Sequence, residues 1–557
     1  MSATSEPPPS VADVVGATIA AHGVRDAFGV IGSGNLVVTN ALRRGGVRFH
    51  HARHEGGAIC MADGYARVSG EIGICSVHQG PGLTNTLTGL TEAAKSRTPL
   101  LVLAGEAPAA ARASNFRIDQ DGLVASVGAG SDRIYEPATA AGDAARAFRR
   151  ATLERRPIVL MLPIDVQPRP AIDVAPLLRQ TGPDAGTTVP TAPALAAVAE
   201  LLRAASRPAI IAGRGAVLAG ARDQIERLAE LIGALLATSA PAKGLFAGLP
   251  YAIGISGGFA SPLAAELLSA ADLVLLVGAS GNQWTTRHGT LVGERTRVVQ
   301  IDCEPDAIGR HLQVEAALVG DAAATVGALA DEIGRRGHRA TGVRTPELAG
   351  RIAARRWIDE SYADASDDRW IDPRTLSIEL ERRLPANRQV ALDSGHAVGY
   401  PAMYLSVTGP RAWVFGNGFQ AVGLGLGLAI GAAIAQPELV TVAALGDGGA
   451  FMALAELETA VRLGLRLLVV IYDDSAYGAE VHHFGPLGHD VDAVRFPDAD
   501  LAAIARAAGA RGEIVRRASD LAVIDEWVSS SATGPLVLDA KVNPNVCAEW
   551  LAEAFRS

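Results

Sequence analysis

The chain has 557 residues, 49% of them hydrophobic and 20% charged, with a net charge of −9. That length exceeds what one hydrophobic core serves and predicts three or four domains, while the composition excludes a disordered chain. Lysine occurs only at 95, 243 and 541, and without a basic cluster there is no sign of a nucleic-acid surface.

Residues 1–10 are rich in Pro and Ser and lack the basic-then-apolar pattern of a leader. Residues 11–22 read as an amphipathic helix and 27–31 as a short strand. Strand-like runs follow at 72–77, 100–103 and 158–162, separated by segments of helical length, the pattern of a parallel α/β sheet. Residues 180–193, rich in Gly, Pro and Thr, read as a linker. A second α/β unit has strands at 209–212, 273–277 and 298–301, and the polar stretch 334–346 reads as a second linker. Strands at 390–392, 440–445, 467–472 and 535–540 belong to a third unit. The expected architecture is three doubly wound parallel-sheet α/β domains, at 1–180, 190–335 and 350–557. The longest apolar run, 421–435, is Gly-rich and too short to span a bilayer. Cys60, Cys75, Cys303 and Cys547 lack metal-type spacing, so free thiols in a cytoplasmic protein are expected.

The most informative stretch is Gly446-Asp447-Gly448-Gly449, which ends the 440–445 strand. Phe451, Leu454, Leu457 and Val461 follow at helical spacing, and a second apolar strand ends in Asp473-Asp474. A strand–helix–strand crossover puts both strand ends on one edge of the sheet. Asp447 and Asp474 can therefore share a hard cation such as Mg²⁺, whose shell commonly includes phosphate oxygens. The three glycines let the backbone approach a phosphate, whose charge the helix N-terminus favours. An Asp between glycines is also a common turn. The stretch resembles the diphosphate-binding motif of thiamine diphosphate (ThDP) enzymes, in which Asn-Asn ends the second strand; here Asp473-Asp474 stands in its place. The three-unit order resembles the acetolactate synthase and benzoylformate decarboxylase superfamily over roughly residues 11–545.

That resemblance implies ThDP and Mg²⁺ as cofactors and gives particular residues a role. Arg53-His54-Glu55 matches the signature whose Glu touches the aminopyrimidine ring and cycles a proton with it; on its own, a Glu at a helix start complements the macrodipole. His78, in Val77-His78-Gln79-Gly80, aligns with a decarboxylase His that relays protons to substrate and that acetolactate synthases lack. Ser33 and Gln120 fall at substrate-contacting positions. His482 and His483 point to different sides of a helix, and His483 is expected to face substrate. Cofactor contacts are implied for His396, Gly418, Gln420, Val422 (the wedge that bends ThDP), Gly446, Asp447, Gly448, Gly449, Asp474, Ala476, Tyr477 and Gly478. The metal is implied at Asp447, Asp474 and Ala476. No FAD is expected, because Gly257-Gly258-Phe259-Ala260 and residues 279–283 match the flavin-bearing synthases poorly.

The implied activity is cleavage or formation of a C–C bond next to a carbonyl, in a 2-oxo acid, aldehyde or acyloin, by a decarboxylase or lyase with carboligase capacity. An acetolactate synthase-type transferase without FAD and a non-catalytic ThDP-binding scaffold are the alternatives. The implied assembly is a homodimer or homotetramer with the cofactor at the subunit interface.

Overall fold

The structure, a computed structural model, describes residues 8–171, 187–293, 295–338, 340, 343–530 and 534–555. Parts of both expected linkers, 180–193 and 334–346, lie outside the described residues.

The described residues form three six-stranded sheets, parallel throughout. The first contains β1 (Asp26–Gly29), β2 (Arg48–His51), β3 (Gly73–Val77), β4 (Leu100–Glu106), β5 (Gly130–Arg133) and β6 (Ile158–Pro163), in the order β2-β1-β3-β4-β6-β5. The central sheet contains β7 (Pro208–Ala212), β8 (Leu235–Thr238), β9 (Ala252–Ile255), β10 (Leu273–Val277), β11 (Arg297–Asp302) and β12 (Ala316–Val319), ordered β12-β11-β10-β7-β8-β9. The third contains β13 (Arg388–Leu392), β14 (Trp413–Phe415), β15 (Val440–Gly446), β16 (Leu467–Asp473), β17 (Arg511–Val515) and β18 (Leu536–Lys541), ordered β14-β13-β15-β16-β18-β17. The first and third sheets therefore share one topology. Inner strands such as β3 and β16 are buried along their whole length, because helices cover both faces of a doubly wound sheet. That explains their continuous apolar sequences.

The first and third units meet through a pair of glycine-bearing helices, Glu55–Ser69 and Gly425–Ala435. A Cβ on Gly64 would strike the Leu428 carbonyl, and one on Gly431 the Met61 carbonyl. The two backbones thus touch where side chains are absent, and a single apolar cluster runs from Ile59 and Tyr65 to Leu428 and Ile471. This contact fixes how the strand ends of the two sheets are presented. Cys60 and Cys75 are buried, Cys303 and Cys547 exposed, and all four are free. Among the described residues no helix is long and apolar enough to cross a membrane.

Candidate active site

Strand β15 ends at Gly446, and Asp447 opens the helix Asp447–Met452. Neighbouring β16 runs in register with it, Gly446 beside Tyr472, and Asp474 follows directly. Asp447 is 7% exposed, and burial, with Asp474 and Asp473 close by, pushes its carboxyl up to about 8. The neighbouring acids are each attended to. Asp473 receives Lys541 Nζ at 2.6 Å, a lysine also shared with Asp498 and Asp539. Asp474 Oδ2 lies 3.7 Å from His396 Nδ1. His396 Nε2 accepts the Ala548 N–H at 2.9 Å, so the neutral ring carries its proton on Nδ1, toward Asp474.

Asp447 itself has no basic side chain paired with it among the described residues. A buried carboxylate stays ionised when a cation or enough hydrogen-bond donors meet it. Two carboxylates on adjacent strand ends fit Mg²⁺, which takes one or two such ligands and completes its shell with other oxygens, phosphate among them. Among the described residues no group of three or more His, Cys, Asp and Glu side chains is arranged for a metal. A cation here would depend on oxygens brought by a phosphate ligand.

Asp447 opens into a cleft of about 1790 Å³, and every cofactor contact expected in the third unit lines it. Gly446 has open space where a Cβ would stand, whereas a Cβ on Gly448 would come within 2.7 Å of the Tyr477 ring. One on Gly478 would strike the Asp474 carboxylate and lie 3.0 Å from His396 Nδ1. The turn leading to Val422 lines the same cleft, where a Cβ on Gly449 would lie 3.2 Å from Val422 Cγ1. Gln420 holds φ +62° there. Its carbonyl accepts Ser394 Oγ–H at 3.3 Å, and buried Asp393 accepts the N–H groups of Gly423 and Leu424 at 2.9 and 3.1 Å. Glu92, from the first unit, accepts the N–H groups of Gly418 and Phe419 at 3.1 and 2.7 Å and is paired with Arg67 at 2.9 Å.

Glu55, His78 and Ser33 do not line this cleft. They gather at the strand ends of the first sheet. Glu55 opens the helix Glu55–Ser69, and its Oε2 accepts Asn85 Nδ2–H at 2.9 Å. His78 follows β3, and its Nδ1 accepts the Gly34 N–H at 3.0 Å, which leaves the proton of the neutral ring on Nε2. Burial lowers the His78 pKa, against an opposing pull from Glu55. A Cβ on Gly82 would lie 3.0 Å from His78 Cβ and 3.6 Å from Glu55 Oε1, so Gly82 is what lets the two side chains share one pocket. Ser33 is exposed on the turn that carries Gly34.

Three family models cover most of the chain. They are the N-terminal TPP binding domain (residues 9–123), the central domain (195–329) and the C-terminal TPP binding domain (393–540) of the thiamine pyrophosphate enzymes. The chain belongs to the thiamine pyrophosphate enzymes. It is 30% identical to a sulfoacetaldehyde acetyltransferase of Rhodobacter capsulatus, over 96% of this chain and 94% of that protein. It is 32% identical to a probable 2-ketoarginine decarboxylase of Pseudomonas aeruginosa, over 90% and 88%. It is 31% identical to a putative acetolactate synthase large subunit of Mycobacterium tuberculosis, over 90% and 92%.

Two expectations about this thiamine pyrophosphate enzyme change with the geometry. Gln120, expected to face substrate, is 3% exposed. Its Oε1 accepts the Gly80 N–H at 3.1 Å, and its Nε2 donates to the Gly105 carbonyl at 3.2 Å. Its amide is spent on the fold, bracing the turn that carries His78. Of the paired histidines, neither lines the cleft: His482 has its ring centroid 4.7 Å from that of His396, an expected cofactor contact, and His483, expected to face substrate, stacks at 3.9 Å on Phe555, which does line it.

Reading the sequence passed over Asn85, Asp393 and Lys541. Asp393 carries the same signal as Asp447, an acid just past an apolar strand. Lys541 is one of three lysines in the chain and ends an apolar strand, where an unpaired ammonium would be costly. Asn85 sits in a Gly- and Pro-rich turn with nothing in its spacing to mark it.

Proposed function

We propose that the chain is an Mg²⁺- and ThDP-dependent enzyme that decarboxylates or otherwise cleaves a 2-oxo acid or acyloin next to its carbonyl, with capacity to ligate the fragment to a second carbonyl. The observation that carries this reading is Asp447, a buried carboxylate with no basic partner among the described residues, at the head of a glycine-lined cleft. When bound there, the cofactor supplies an electron sink for the pair left as the bond next to the carbonyl breaks. Asp447, Asp474 and the backbone at Ala476 would hold the metal, Gly446 and Gly448 would lie along the diphosphate, and Val422 would set the bend. Glu55 would hold a proton where the pyrimidine ring of the bound cofactor could share it. His78, neutral with its proton on Nε2, donates that N–H as a hydrogen bond to the substrate side, where it steadies charge that develops on an oxygen. A role of this kind for His78 favours decarboxylase or lyase chemistry. The relatives named acetolactate synthase and sulfoacetaldehyde acetyltransferase support a transferase as the other reading.

Glu55, His78 and Ser33 do not line the cleft into which Asp447 opens, so we read each cofactor as held between two copies, Glu55 coming from one and Asp447 from the other. Exposed apolar side chains border both halves: Leu36 and Val37 near Ser33, and Phe451 and Met452 beside Asp447, with Met452 58% exposed. A second copy would cover them. The test is to load the purified protein with ThDP and Mg²⁺ and offer a panel of 2-oxo acids and acyloins, measuring CO₂, aldehyde and acyloin. Turnover of at least one is expected. A protein that retains ThDP and turns over none would favour the scaffold alternative.

A further inference from the structure

Among the described residues the carboxylate of Glu55 makes one side-chain hydrogen bond, to Asn85, so its aim depends on the backbone that carries it. That backbone is held from the third unit. Glu456, 2% exposed on the helix Ala455–Arg462, accepts the Arg53 N–H at 3.2 Å and the His54 N–H at 2.9 Å. These are the two amides immediately before Glu55, at an N-terminus whose first donors have no partner within the helix. Thr459 Oγ–H steadies the same carboxylate at 2.8 Å. Gly57 leaves it room: a Cβ there would lie 2.6 Å from Glu456 Cγ. Two further contacts flank it, Arg53 Nε to Glu458 at 2.5 Å and Arg462 Nη2 to the His51 carbonyl at 2.6 Å. Against this stands the plain alternative, a buried acid that only glues two units together.

We infer that Glu456 is a positioning residue for Glu55, fixing through the Arg53 and His54 amides where the proton-cycling carboxylate stands. The inference rests on the role proposed for Glu55 above. Glu456 lies one short helix beyond Asp447, so the segment that carries the metal ligand also aims the acid. Glue alone needs no charged acceptor on these particular amides, and contacts of that kind are spread over the whole glycine-packed helix pair.

The experiment uses full-length Glu456→Gln and Glu456→Ala protein, each loaded with ThDP and Mg²⁺, beside Glu55→Gln and wild type. It reads cofactor retention, exchange of the thiazolium proton in deuterated solvent, and amide exchange at residues 53–57 before loading. The expectation is retained cofactor, faster amide exchange at 53 and 54, and thiazolium exchange slowed by roughly a hundredfold in Glu456→Ala, the size expected of a catalytic group displaced by about 1 Å. Glu456→Gln keeps the shape and one acceptor and should slow less, which reads the effect even if Glu456→Ala fails to fold. Glu456→Ala added to Glu55→Gln should slow exchange no further. Wild-type thiazolium exchange in Glu456→Gln and Glu456→Ala while Glu55→Gln is slow would overturn this inference alone. Wild-type exchange in Glu55→Gln would overturn the proposed role of Glu55 on which it rests.

Discussion

At the scale of single residues the account turns on Asp447. Its carboxyl stands at about 8 without a cation because it is buried and faces Asp474 and Asp473. Metal binding requires the ionised form, so proton and cation compete. Apparent affinity for Mg²⁺, and with it ThDP retention, should therefore fall as pH drops below about 8, by up to about tenfold per unit while one proton is displaced. Equilibrium dialysis across pH 6 to 9 checks this, and a flat profile would contradict it. Asp447→Ala should abolish retention at every pH. Asp474→Asn should retain ThDP at least as well as wild type, because it removes negative charge beside a diphosphate while keeping an oxygen that can accept the Ala476 N–H, now at 3.2 Å. Loss of retention in Asp474→Asn would mean that the charge itself, facing the Nδ1–H of His396, is required.

At the scale of elements, close glycine contacts give opposite expectations at two helical positions. Alanine normally stabilises a helix over glycine by about 0.5–1 kcal/mol. Gly350, in the helix Pro346–Ala354, has nothing within 4 Å of a Cβ, so Gly350→Ala should raise the unfolding midpoint. A Cβ at Gly431 meets the Met61 carbonyl and lies 2.8 Å from Tyr65 N. Backbone must move there, and overpacking of about 1–3 kcal/mol should outweigh the helix gain. Urea unfolding of both variants reads the two signs. The same scale shows what the sequence made legible. The eleven expected strands all lie in the sheets, and each has a long apolar run because it is covered on both faces. The strands not expected are β8 and all six edge strands: β2, β5, β9, β12, β14 and β17. Edge strands such as Arg48–His51 and Gly130–Arg133 are short and partly exposed, so they carry polar residues and no continuous apolar run. Strand β8 follows an amphipathic helix across Gly233, and its Leu235-Leu236 reads as more of that helix's apolar face. The site divided in the same way. Asp447, Asp474 and Glu55 sit at strand ends or helix starts that the pattern marks. The burial of Gln120 and the different ring partners of His482 and His483 depend on which neighbour each side chain meets, and that is set by tertiary packing.

At the scale of the whole molecule, the glycine-packed helix pair and the Glu92 and Glu456 contacts join the first and third units, and Glu55 does not line the cleft into which Asp447 opens. A symmetric pair of chains would match each half to its complement in the other copy. Light scattering should find a dimer or larger assembly, and a monomer that cycles the thiazolium proton at every dilution would reject the pairing. The most direct measurement mixes Glu55→Gln and Asp447→Ala protein after dissociation and reassociation, then reads thiazolium proton exchange on bound ThDP. Alone, the first variant should bind the cofactor with slow exchange, and the second should bind none. In a mixed dimer one site carries both lesions and the other carries neither, so equal mixing should return fast exchange at about a quarter of all sites. If Glu55 and Asp447 serve one cofactor within a single chain, no intact site can form, and the absence of any fast-exchanging fraction would contradict the account.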